Sequence, residues 1–276
     1  MIKNLLGKRS RILVILKKMD LRTEVREGRE SLVANTDQAP DAWLTPQRIL
    51  VVLAHPDDPE FFCGGTINRW AIAGHQIFYC LLTCGDKGTK ERHLESHELC
   101  LIRQKEQRAA AKLLGVDEIY FLNYEDGYLI PSLELRKDIT RIIRQVRPDI
   151  VVTCDPTTLY TQDARLNHPD HRAAGQAVLD AVFPAARDHL YFIELLHDEK
   201  LEPHIVREVW VCGTLEPDVA LDVTDTWNAK LMALYEHKSQ IADPEKLKER
   251  MLSRRTVDST PEKPQYVEKF RRLVIG

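Results

Sequence analysis

"VVLAHPDDPEFFCGG", residues 51–65, sets an apolar run against a histidine and two adjacent carboxylates. With Ile49 and Leu50 ahead of it, the run shows no polar alternation, as expected of a strand covered on both faces of a parallel sheet. It stops at His55, Pro56, Asp57 and Asp58. Such groups resist burial unless water, an arginine or a metal ion pairs with them.

Working outward from this strand, read as residues 49–54, strands and helices alternate. A helix is expected at 66–73, ended by Gly74, then a strand at 76–82. A long helix covers 98–114, with Gly115 placed as its C-cap. A strand at 119–122 precedes a helix capped by Ser132, whose apolar stripe is Leu135, Ile139, Ile142, Ile143 and Val146. Pro148 stops it, and 150–154 is a fourth apolar strand. Pro169 suits the first turn of a helix running to about 183. Strands at 206–212 and 219–223 and a helix at 227–240 complete the pattern. The alternation predicts an α/β chain: a Rossmann-like, doubly wound, mostly parallel sheet with helices on both faces. In strand order 3-2-1-4 the sheet reverses between strands 1 and 4, and ligands bind beyond their carboxyl ends. Chemistry is therefore expected just after Ala54 and just after Cys154.

Both places are polar. After strand 1 come His55, Asp57 and Asp58; after strand 4 comes "DPTTLYTQDARLNHPDHR", with His168, Asp170 and His171. His168 and His171 stand three apart at a helix start, so both can face one side. Two histidines and a carboxylate with an open fourth position form the donor set of a catalytic zinc site. Such an ion activates water, a spare carboxylate can take the proton, and a spare histidine can stabilise an oxyanion or protonate a leaving amine. The six residues fill these roles with one to spare. The chemistry alone leaves open which aspartate binds metal. Adjacent side chains on an extended chain point opposite ways, so one of Asp57 and Asp58 is expected to ligate and the other to stay free. The donor set also admits Fe(II) or Co(II).

The 276 residues are 43% hydrophobic and 29% charged, enough for one large core with an appendage. Lys and Arg number 39 against 42 acids, a formal charge of −3, which gives no electrostatic case for nucleic acid. No apolar run approaches the roughly 20 residues of a membrane helix. Residues 1–46 read as a partly helical extension plus linker, in which "RILVILKK" (11–18) packs on the domain or a partner, and the core domain is 47–276. The six cysteines form no CxxC pair, which suggests buried thiols, no disulfide framework and a cytoplasmic protein. "HLESHE" (93–98) spaces His93 and His97 like a metal pair, but in a polar stretch expected to be a lid or loop.

"AHPDD" after the first strand and "HPDH" after the fourth resemble the LmbE/PIG-L family of zinc-dependent de-N-acetylases. Secondary landmarks agree over about 47–240: "TCGDKG", "IRQKEQRAAAKLLGV", "EDG" and "HKSQ". The resemblance implies His55, Asp58 and His171 as zinc ligands and Asp57 as general base. His168 becomes the acid or oxyanion group, oriented by Asp170, and Arg103 and Asp126 become sugar contacts. It further implies hydrolysis of an acetyl or similar acyl group from the amine of an N-acetylglucosamine-type sugar or conjugate, and it favours a homo-oligomer. A metal protein that binds a sugar without hydrolysis, or a metal amidase or esterase on another substrate, are the competing readings. One departure stands out: the family commonly has an acid directly after the second Asp, where this chain has Pro59 and then Glu60.

Overall fold

A computed structural model of the chain describes residues 39–162 and 164–275. The "RILVILKK" segment and most of the expected extension lie outside the described residues. The fold positions its chemistry through one sheet of order β3-β2-β1-β4-β5-β7-β6. These strands are β1 (Arg48–Leu53), β2 (Gln76–Thr83), β3 (Glu118–Tyr124), β4 (Ile150–Cys154), β5 (Glu208–Cys212), β6 (Val219–Asp222) and β7 (Val267–Val274). The first five pair in parallel, with the predicted 3-2-1-4 order. β7 runs antiparallel to β5 and β6.

The unbroken apolar β1 is explained by its two covered faces. Leu50 and Val52 pack with Leu135, Ile139 and Ile143 of α3 (Leu133–Val146) and Val178 of α4 (Pro169–Asp180). Ile49, Val51 and Leu53 point the other way, into Ile67 and Trp70 of α1 (Asp58–Ile72) and Leu114 of α2 (Ser96–Leu114). Every residue of 49–54 is fully buried. The remaining helices are α5 (Ile193–His197), α6 (Trp227–Tyr235) and α7 (Pro244–Leu252).

Several expectations are corrected. α1 begins at Asp58, eight residues before the expected start, because Pro59 falls in its first turn, where a missing N–H is tolerated. The helix then breaks at Cys63 (φ −146°, ψ 22°) and restarts at the two glycines. A Cβ on Gly65 would lie 2.8 Å from Val223 Cβ, so "CGG" serves close packing. α4 ends at Asp180 and runs directly into a π-helical turn, Ala181–Ala185, inside which Phe183 is extended (φ −139°). α6 ends at Tyr235, leaving "HKSQ" in turns closed by Gln240 N–H and Ile241 N–H on the His237 carbonyl. The sequence reading passed over α5, α7 and β7. Against the expectation of unpaired thiols, Cys84 and Cys100 form a disulfide joining the end of β2 to α2. Strand end and helix face each other only once the chain is folded. The other four cysteines are buried thiols.

Candidate metal centre and active site

The β1 carboxyl end turns sharply into α1. Asp57 occupies the N-cap with φ 92°, a left-handed conformation that is strained for a residue with a side chain. The turn folds the Asp58 carboxylate back, so that Oδ2 accepts the His55 main-chain N–H at 2.8 Å and lies 3.2 Å from His55 Nδ1. From beyond β4, His168 caps α4, with Nδ1 accepting the Asp170 N–H at 3.2 Å. One turn on, His171 Nε2 lies 3.1 Å from Asp58 Oδ1. The two oxygens of Asp58 thus meet one histidine from each side of the crevice.

Two trios offer donor atoms all within 4.8 Å of one another: His55, Asp58 and His171; and His55, His168 and Asp170. The first fits a cation better. His171 Nδ1 lies 3.0 Å from Asn167 Oδ1, and Asn167 is itself oriented by donating Nδ2–H to the Thr158 carbonyl. That arrangement puts the imidazole proton on Nδ1 and leaves the Nε2 lone pair facing Asp58, as outer-sphere partners do for metal-binding histidines. In the second trio the donors are already committed: His168 Nδ1 to a main-chain N–H, and the Asp170 carboxylate to the N–H groups of Gly127 (2.7 Å) and Leu129 (3.3 Å). His55 Nε2 is buried, 3.1 Å from Asp126 and 3.4 Å from Asp170, but makes a hydrogen bond with neither among the described residues.

Charge around the site is lopsided. Burial disfavours a charged His55, yet Asp58, Asp126 and Asp170 outweigh it and raise its pKa well above the usual value. Burial works against the Asp58 carboxylate too, but His171 and His55 hold it well below the usual range. Asp57, its neighbour in sequence, moves the other way. Burial lifts it to about 6, against the pull of Arg103 and with a further push from Asp58. Burial, then His55, lower the pKa of His168. A neutral His168 whose Nδ1 accepts a hydrogen bond carries its proton on Nε2, as a donor.

The remaining predicted residues fall as follows. Arg103, expected at the sugar, is only 4% exposed; it donates to the carbonyls of Gly85 (2.8 Å) and Pro56 and lies 3.3 Å from Asp57 Oδ2. Asp126 is buried against His55 and accepts the Lys87 N–H at 3.2 Å; the His55 contact outweighs burial and lowers its pKa to about 2. Asp170, expected to orient His168, meets that ring through its main-chain N–H, 3.2 Å from Nδ1. His93 is exposed beside Glu91, and Ser96 to Glu98 form the first turn of α2 rather than a loop. Asn167, inside the quoted "DPTTLYTQDARLNHPDHR", carried no expectation from the sequence. Nor did Gln107, which accepts the Asp57 N–H at 2.9 Å.

Beside His168 and His171 opens a cavity of about 1030 Å³, lined among others by Phe61, Phe62, Trp227 and Arg255. It is large for a small-molecule site, and Phe61, Phe62 and Trp227 stand among mostly polar and charged walls. No helix among the described residues is long and apolar enough to cross a membrane.

Comparison with known proteins bears on this arrangement. Residues 50–182 match the family model described as PIG-L, GlcNAc-PI de-N-acetylase. The chain is 35% identical over 197 residues to the diacetylchitobiose deacetylase of Thermococcus kodakarensis, covering 71% of each protein. It is 29% identical to a probable N-acetyl-alpha-D-glucosaminyl L-malate deacetylase 2 of Bacillus cereus, over 70% of this chain and 84% of that one. Among solved structures, the N,N'-diacetylchitobiose deacetylase of Pyrococcus horikoshii, complexed with its inhibitor MPG, superposes with a TM-score of 0.77 at 31% identity. That match covers 90% of this chain and 92% of the other.

Proposed function

This chain belongs to the PIG-L (LmbE-like) family, and from that premise we propose that it is a metal-dependent hydrolase removing an acetyl or similar acyl group from the amine of an N-acetylglucosamine-type sugar or conjugate. One observation carries the reading. His55, Asp58 and His171 converge as a three-donor set while the adjacent Asp57 stays outside it, with its pKa lifted toward neutrality.

In this reading His55, Asp58 and His171 hold a divalent ion, zinc being the best match to two imidazoles and one carboxylate, with Fe(II) and Co(II) admitted by the same donors. A divalent ion so held supplies Lewis acidity to water and to the amide carbonyl. Asp57 removes the proton of the attacking water, and Arg103 behind it keeps the carboxylate in place. His168 presents Nε2–H to the developing oxyanion as a neutral donor. Asp57 then returns its proton to the departing amine. Asp126 and Asp170, whose carboxylates lie 3.1 and 3.4 Å from His55 Nε2, hold negative charge against that imidazole.

The test is acetate release from N,N'-diacetylchitobiose, N-acetylglucosamine and a panel of non-sugar acetamides and acetate esters before chelation, after it, and after restoring the ion, with elemental analysis of protein purified without added metal. Release that stops on chelation and returns with the ion is expected. A metal-replete protein that deacylates only non-sugar amides or esters would replace the sugar assignment. One that deacylates nothing would overturn the enzyme reading.

A further inference from the structure

Behind the site lies a chain of polar groups that the proposed chemistry does not use. His237 Nε2 lies 3.1 Å from Glu60 Oε2, and Gln107 Nε2 donates to Glu60 Oε1 at 2.9 Å. Gln107 Oε1 in turn accepts the main-chain N–H of Asp57 at 2.9 Å. Glu60, Gln107 and His237 are all 0% exposed. They come from α1, from the middle of α2 and from the "HKSQ" turn after α6. The direction of the chain is forced. The Asp57 N–H can only donate and the Glu60 carboxylate only accept, so the Gln107 amide fits in one orientation.

Burying an ionised group costs several kcal/mol, and apolar side chains of similar volume often give equal or greater stability. An arrangement of this kind beside a functional loop therefore calls for a reason other than stability. The reason is available at its end: Asp57, at φ 92°, needs its N–H held if the strained turn is to persist. The "HKSQ" turn that carries His237 is itself anchored: Ser239 donates N–H and Oγ–H to Glu106 of α2, and Gln240 donates to the Gly88 carbonyl.

We propose that His237, Glu60 and Gln107 form a positioning relay that holds the Asp57 main chain in its left-handed conformation and so aims the Asp57 carboxylate. The relay rests on the reading of Asp57 as the base given above. None of the three touches the reacting atoms; they act through Asp57. The relay also gives the Pro59–Glu60 departure a purpose. Pro59 opens the helix, and the acid that follows it turns inward as the hub of the relay rather than toward a ligand.

The experiment compares Gln107→Met, which keeps the volume and removes both hydrogen bonds, with Gln107→Glu and with the double variant Glu60→Gln/Gln107→Glu. The double variant rebuilds the three links of the relay with the amide and the carboxylate exchanged; the longer Tyr79 Oη contact to Glu60 Oε1, 3.4 Å, is the one it does not keep. Gln107→Met is expected to keep full metal content, to lose about 100-fold in kcat, as a misaimed group does, and to hold KM within about twofold. Its crystal structure is expected to show Asp57 outside the left-handed region. Gln107→Glu places two carboxylates together and is expected to be as poor, while the exchanged pair recovers most of the lost kcat. Wild-type kcat in Gln107→Met, or an Asp57 φ near 92° in every variant, would overturn the relay. So would an exchanged pair as impaired as Gln107→Glu alone. Should Gln107→Met fail to fold, the other two variants decide by the same readouts. If the unmodified protein deacylates no amino sugar, the functional reading falls, and the Asp57 conformation in Gln107→Met still decides the relay: displaced supports it, unchanged overturns it.

Discussion

The two halves of α1 each sit beside buried charge, and the two sites are built differently. At the restart after Cys63, Glu268 accepts the N–H groups of Gly65 (3.1 Å) and Thr66 (2.7 Å), and Lys230 donates to it at 2.6 Å. Lys230 also donates to the Phe61 carbonyl at 2.9 Å. One cation meets one anion, the glutamate caps a helix end, and nothing there asks for a further charge. At the start of α1, by contrast, Asp58, Asp126 and Asp170 crowd His55, Asp58 also faces His171, the nearby Arg103 is taken up by Asp57, and His55 Nε2 is buried without a hydrogen bond among the described residues. Buried charge that is fully matched belongs to the scaffold. Buried charge that is over-supplied, beside a strained residue, marks a place for an ion and for chemistry.

The comparison breaks if the two sites respond alike to substitution. The largest effect is expected from His171→Ala: metal content near zero and activity down by about 10⁴-fold or more, read by elemental analysis and acetate release. Asp57→Asn comes next, with kcat down about 10²- to 10⁴-fold and the metal retained. Lys230→Met acts on the other half. It leaves Glu268 buried without its cation and is expected to cost about 3–5 kcal/mol in urea unfolding, with metal content unchanged. Stability loss without metal loss at one site, and metal loss at the other, would sharpen the distinction.

The smallest effect concerns a third, less buried pair that sets the scale. Burial works against the Glu208 carboxylate, but Arg272 at 2.6 Å wins and keeps its pKa below the usual value. A depressed carboxylate pKa adds stability above the unfolded value of about 4.3, and the gain is lost as pH falls through the folded value. Glu208→Gln should therefore lower stability by about 1 kcal/mol or less at neutral pH. Its unfolding curve and that of the parent should converge in acid; curves that stay apart would assign the loss to packing.

What was legible in the sequence follows from how locally each feature is encoded. β1 and β4 announce themselves because strands buried on both faces must be apolar throughout, and the strand order then places His55 and His171 in one crevice. β7 did not, because "VEKFRRLV" is covered on one face only and its charged residues mask the alternation. The relay was only partly legible. Glu60 stood out as the displaced acid and His237 lay in the "HKSQ" landmark, but Gln107 read as an ordinary helix residue, and only the tertiary packing joins the three. The proposed division between Asp57 and Asp58 was expected from alternation along an extended chain. The chain is not extended there: a left-handed turn at Asp57 folds the Asp58 carboxylate back toward both histidines.

That division is the centre of the account, and metal stoichiometry in two neighbouring variants tests it most directly. Elemental analysis of Asp57→Asn and Asp58→Asn, purified side by side, is predicted to find the ion retained in the first and lost from the second. Equal metal content in the two would contradict it.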